Sequence, residues 1–119
     1  MAVERKHDIV FTNDEKHREY IIAAVKKIVH RFDENADVIL FGSRARGDWH
    51  EESDWDFLIL SNLPETGDAK EEIRKAVFKE IELETFDGVF ILFHNREVWH
   101  SKYNVTPLYY NIQEEGVLV

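Results

Sequence analysis

The chain has 119 residues, 44% of them hydrophobic and 33% charged, which suits one domain with a single core and is too apolar for a disordered tail. Its 15 Lys and Arg stand against 24 Asp and Glu, a formal charge of −9 that excludes the cationic footprint of a non-specific nucleic-acid binder. With no cysteine there is no disulfide scaffold, thiolate zinc site or cysteine nucleophile.

Met1-Ala2-Val3-Glu4-Arg5-Lys6 opens no signal-peptide hydrophobic region, and no apolar run nears the ~18–20 residues of a membrane span. The expectation is a soluble, cytoplasmic protein without a membrane partner. A charged lead-in over 1–11 ends in Ile9-Val10-Phe11. Thr12-Asn13-Asp14-Glu15 then reads as a capping box, a hydroxyl followed three residues later by a carboxylate. Behind it Ile21, Ala24, Val25, Ile28 and Phe32 recur at helical spacing, which predicts an amphipathic helix over about 13–31. Asp37-Val38-Ile39-Leu40-Phe41 is a short apolar run stopping at Gly42, as a strand buried on both faces would be.

Residues 42–53 are polar, punctuated by Gly42 and Gly47. Trp55 to Leu60 predicts a second strand, closed by Ser61-Asn62-Leu63-Pro64. Ile73, Ala76, Val77 and Ile81 share one face of a helix over about 68–84, and Asp87-Gly88 leads into a third strand, Val89-Phe90-Ile91-Leu92-Phe93. Asn95 can cap a short helix holding Val98 and Trp99. Thr106-Pro107 and Gly116 bracket a last helix over about 107–115. Nothing divides the sequence, so a single α/β (α+β) domain is expected, with a mixed sheet of at least three strands backed by helices.

The stretch that carries chemistry runs from Gly42 to Asp56. At its first end a strand finishes in Gly42-Ser43 before Arg44-Ala45-Arg46. Glycine lets a ligand approach the backbone, and a serine opening a helical turn sets a hydroxyl beside unpaired amides, which suits phosphate oxygens. Arg44 and Arg46 add cationic donors, although a plain helix cap with solvated arginines has the same composition. At the second end Asp54 and Asp56 flank Trp55. Strand geometry puts both carboxylates on one face, about 6.6 Å apart along the backbone, with Trp55 and Phe57 on the other. Two adjacent like charges repel unless a cation sits between them, and Mg²⁺ takes carboxylate oxygens while keeping positions open for phosphates. Two acids at a strand end facing water is the simpler alternative.

Taken together, Gly42-Ser43, ten residues, then Asp54-x-Asp56 resembles the signature of the DNA polymerase β-like nucleotidyltransferase superfamily, and most closely its minimal nucleotidyltransferases, often found as antitoxins. The resemblance covers about residues 13–99, leaving C-terminal helices over about 95–115. It implies the small nucleotidyltransferase fold and transfer of a nucleoside monophosphate from an NTP, expected to be ATP, to a hydroxyl acceptor. In such enzymes Gly42 and Ser43 would hold the β- and γ-phosphates, with Arg44 reaching the triphosphate. Asp54 and Asp56 would hold two Mg²⁺ at the α-phosphate. The acceptor implied is a protein, such as a tyrosine on a helical HEPN ribonuclease-type partner. The acidic balance argues against a long nucleic acid.

One part of the pattern is missing. Active members carry a third carboxylate on the neighbouring strand, and Val89–Phe93 contains none. Asp87 would serve as the third catalytic acid if the register is shifted, whereas counting back from Val98-Trp99 puts the expected acid nearer Phe90. An Asp-Gly turn into a strand also accounts for Asp87. Glu82 and Glu84 are weaker substitutes. Two carboxylates instead of three would hold one Mg²⁺ and slow or abolish transfer, leaving a nucleotidyltransferase-fold module that works by binding a partner.

The six histidines show no zinc spacing, and His50 lies in a loop with Asp48, Glu51 and Glu52. Trp49, Trp55 and Trp99 could stack a base, though Trp55 alternates toward the interior. Tyr103, Tyr109 and Tyr110 form either a helix-packing face or an exposed patch for a partner or a homo-oligomer.

Overall fold

The computed structural model describes Phe11 and residues 13–119. The lead-in through Val10 and the proposed Thr12 cap lie outside the described residues. Asn13 caps the first helix, α1 (Asp14–Phe32), its side chain accepting from the Lys16 amide at 2.8 Å. β1 (Asp37–Phe41) follows, then a single turn of helix, α2 (Ser43–Arg46), and β2 (Trp55–Ser61). The next helical stretch is not one uniform helix. It runs as α3 (Ala69–Val77), a π-helical turn (Phe78–Glu82) and a short α4 (Leu83–Thr85). The wider turn shifts the phase, so Ile73, Val77 and Ile81 are buried while Phe78 and Leu83 stand exposed. β3 (Val89–Asn95), α5 (Arg96–Lys102) and α6 (Pro107–Glu115) complete the expected order. Asn95 and Thr106 cap α5 and α6 by accepting from the Val98 and Tyr109 amides.

A short strand that sequence patterning did not anticipate, β4 (Val117–Leu118), pairs with β1. The sheet has the order β3-β2-β1-β4, with β2 and β3 parallel and the other pairs antiparallel. This is the mixed α/β sheet expected of a small nucleotidyltransferase fold.

Helices cover both faces, which is why β2 is a near-continuous apolar run. On one face Ile21, Val25 and Ile28 of α1 and Ile73 and Val77 of α3 pack on Val38, Leu40, Trp55, Phe57, Ile59, Ile91 and Phe93. On the other, Trp99 of α5 and Ile112 of α6 pack on Phe41, Leu58 and Leu60, with Tyr103 and Tyr109 against them. Each fully buried side chain of this kind contributes about 1.5–3 kcal/mol. Two of the three C-terminal tyrosines are thus packing residues, while Tyr110 is exposed. The outer edge of β3 is closed by side chains: Arg74 donates to the Ile91 carbonyl at 3.2 Å, and Glu82 accepts from the Val89 amide at 3.3 Å. Among the described residues no helix is long and apolar enough to cross a membrane.

Candidate functional site

β1 ends at Phe41, and the chain turns through Gly42 at φ +75°, a left-handed conformation that side chains resist. The Ala45 and Arg46 amides both bond back to the Gly42 carbonyl at 3.0 Å, and those of Ser43 and Arg44 have no carbonyl partner within this single turn. Phe41 pairs with Asp56 across the antiparallel ladder, so turn and carboxylate meet at one end of the sheet. The fit is close: a Cβ on Gly42 would lie 2.2 Å from Asp56 Oδ2. Gly88 does the same for the other acid, since a Cβ there would lie 2.1 Å from Asp54 Oδ1. Two carboxylates are thus seated over two glycines. The role of Gly88, read from sequence only as part of an Asp-Gly turn, emerges from this packing.

Burial is the main reason the Asp56 carboxyl is pushed above its ordinary range, and the Asp54 charge adds to it. Arg46 opposes the shift and Glu115 reinforces it. A like-charged pair, one member half-buried, is a donor set that a hard divalent cation relieves, so the residues present fit Mg²⁺. They fit it as a pair: among the described residues no three His, Asp or Glu side chains converge closely enough to enclose a metal.

Asp87 does not join them. It accepts from Trp55 Nε1 at 3.3 Å and pairs with His17 Nε2 at 2.7 Å, on the α1 side of the sheet. Trp55 alternates away from Asp56, which is why a carboxylate bonded to its indole cannot also face the Asp54–Asp56 pair. The parallel register instead puts Phe90 beside Asp56, and Phe90 is 47% exposed. Phe90 occupies the place where a third acid was expected, as counting back from Trp99 indicated. Glu82 is engaged at the β3 edge, where its carboxylate accepts from the Val89 amide.

Arg44 is also placed differently from the sequence expectation. It is buried, with its guanidinium over Trp49 and Trp55 at 4.4 and 4.3 Å from the ring centres. It donates to the Ser53 carbonyl from Nε at 3.3 Å and from Nη2 at 3.2 Å. Its Nε and Nη2 donors hold the 48–54 loop that leads into Asp54. Trp49 is the other half of this clamp, and the loop turns where the His50 amide donates to the Ser53 hydroxyl oxygen at 3.0 Å.

The cation that does reach the turn is Arg46, which bonds Glu115 at 3.1 Å. Glu115 Oε1 in turn accepts from the Gly42 amide at 3.3 Å. Neither contact was legible in advance, because Glu115 lies about seventy residues away along the chain.

The fold and this end of the sheet define a nucleotide-transfer scaffold: a glycine-serine turn after β1 and paired aspartates opening β2. The family model described as "Nucleotidyltransferase domain" matches residues 8–119, and the chain belongs to that family. Within it, the motif order is that of a minimal nucleotidyltransferase of the DNA polymerase β-like superfamily. No curated protein matches the chain.

Proposed function

We propose that this protein transfers a nucleoside monophosphate from an Mg²⁺-bound NTP to a hydroxyl on a partner protein. The observation that carries the reading is the seating of the Asp56 carboxylate directly over Gly42, which joins the aspartate pair to the Gly-Ser turn. In this reading Gly42 and Ser43 hold the β- and γ-phosphates, and Asp54 and Asp56 hold the metal. The metal supplies charge neutralisation at the α-phosphate. The residues then orient an in-line displacement: the acceptor oxygen bonds the α-phosphorus as the bridge to the β-phosphate breaks, pyrophosphate leaves, and the hydroxyl proton is released to solvent. Arg44 acts one step back, by fixing the loop that presents Asp54.

ATP is the nucleotide proposed. A protein acceptor is favoured because a charge of −9 gives no cationic groove for a long polynucleotide. Resemblance to the minimal branch suggests a helical, HEPN ribonuclease-type partner and an antitoxin role in the cytoplasm. A second reading rests on Phe90: with an aromatic at the third-acid position, the domain would bind nucleotide or partner without efficient transfer.

The test is incubation with Mg²⁺ and ATP labelled at the α-phosphate, together with the protein encoded beside this one. Label is expected on the partner, and it is expected to vanish when Asp54→Asn and Asp56→Asn are combined. Transfer that survives the double substitution would remove the residue assignment. Nucleotide binding without transfer would favour the second reading.

A further inference from the structure

Glu115 is the last residue of α6, where a negative charge meets the negative end of the helix dipole. A carboxylate there needs local compensation, and it finds it outside its own helix. Oε1 accepts from the Gly42 amide at 3.3 Å, and both oxygens receive Arg46 Nη1, at 3.3 and 3.1 Å. Gly42 is the residue that opens the Gly-Ser turn, the element given above to the polyphosphate. A carboxylate oxygen and a phosphate oxygen ask the same thing of such a turn: an amide donor and a nearby guanidinium. Glu115 already has both.

We infer that Glu115 is a built-in competitor for the polyphosphate seat, a carboxylate resting where a phosphate oxygen would bind and engaging the arginine that would meet it. Entry of a triphosphate then requires the Glu115 side chain to turn away, which frees the Gly42 amide and Arg46 Nη1 together, while Arg46 Nε keeps its contact with Asp48 at 3.4 Å. α6 need not move, because Gly116 follows at once and β4 remains paired with β1. The latch raises the threshold for occupancy, so the site favours ligands with enough negative charge to displace a carboxylate. Triphosphates would be selected over monophosphates on that ground. The inference rests on the nucleotidyltransferase reading of the turn.

Calorimetric titration of the full chain with metal-free tripolyphosphate, and separately with Mg²⁺ and ATP, tests it in the wild type, Glu115→Gln and Glu115→Ala. Thermal unfolding establishes that each variant is folded. Tripolyphosphate affinity is expected to rise about tenfold in Glu115→Gln, the equivalent of about 1.4 kcal/mol, and further in Glu115→Ala. Adding Arg46→Gln to Glu115→Ala is expected to reverse the gain. A residue that merely anchors α6 to the turn predicts the opposite order, and unchanged or weaker tripolyphosphate binding in Glu115→Ala overturns the latch. Weaker Mg²⁺–ATP binding with unchanged tripolyphosphate binding also overturns it, and assigns Glu115 to the metal side while the nucleotidyltransferase reading stands. If wild type and variants bind neither ligand, the phosphate seat fails and the latch fails with it.

Discussion

Asp87 and Asp56 stand at the same end of adjoining parallel strands, on opposite faces of one sheet, and their surroundings are opposite in kind. Asp87 is enclosed by His17 and the Trp55 indole, with only 11% of its side chain exposed, so its charge and lone pairs are met by fixed donors. Asp56 is half-buried beside Asp54, and both burial and that neighbour work against its ionised form. A carboxylate whose partners come from the fold is structural. A carboxylate that the fold leaves at a cost is waiting for something from outside. The contrast separates the two aspartates although they stand at the same end of neighbouring strands, and it can be broken or sharpened by substitution.

The largest expected difference is in transfer activity. Asp56→Asn should lower labelled-nucleotide transfer by at least about 10³-fold, as loss of a group acting on the reacting centre does. Asp87→Asn should leave transfer within a few-fold and instead cost about 1–3 kcal/mol in urea unfolding, because a part-buried hydrogen-bond network is disturbed. Equal losses of activity from both would erase the distinction and return Asp87 to the metal site.

Next come the two glycines. Gly42→Ala must place a Cβ against Asp56 and also hold φ near +75°, so about 2–3 kcal/mol of stability should go along with activity. Gly88→Ala meets only the carboxylate end of Asp54, which is exposed and free to swing. It should lower transfer while costing under about 1 kcal/mol. Urea midpoints and transfer rates measured on the same preparations separate the two outcomes.

How much of this was open to sequence reading depends on range. The elements followed from local rules: Asn95 and Thr106 cap the helices they precede, Pro107 sits in the first turn of α6, and the apolar runs at 37–41 and 89–93 became strands. The Gly42-Ser43 and Asp54-x-Asp56 motifs were legible because fifteen contiguous residues contain both ends of the site. The rest depended on where distant segments arrive. An arginine following the turn looks like a phosphate ligand until two tryptophans close over it, and only tertiary packing determines that they do. Nothing in α6 distinguishes Glu115, which reaches Gly42, from Glu114 beside it. The π-helical turn and two-residue β4 carry no periodicity strong enough to read.

Phe90 offers the third test, since it lies in register with Asp56 at an exposed position where a charge costs little. Phe90→Asp should raise Mg²⁺-dependent transfer about tenfold if the site lacks only its third acid, equivalent to about 1.4 kcal/mol off the barrier. No gain, in a variant that unfolds at the wild-type urea midpoint, would mean that the aromatic serves the site as it stands. The binding-module reading would then be the stronger one.

The smallest effect concerns stability without metal. Because the folded-state pKa of Asp56 is raised, its contribution to stability is greatest below the unfolded carboxylate range. It diminishes as pH rises through that range to the folded value, and stays unfavourable at neutral pH. Asp56→Asn removes that penalty, so in chelator-containing buffer at pH 7 it should raise stability, on the order of 0.5 kcal/mol given solvent screening at a half-exposed site. Added Mg²⁺ should stabilise the wild type and leave Asp56→Asn nearly unchanged, because an ion that binds only the folded state adds stability in proportion to its affinity. Asp87→Asn should show the reverse pattern, less stable than wild type without metal yet still stabilised by Mg²⁺. A wild type indifferent to Mg²⁺, or a variant that gains nothing at pH 7, would show that Asp56 is as well accommodated as Asp87.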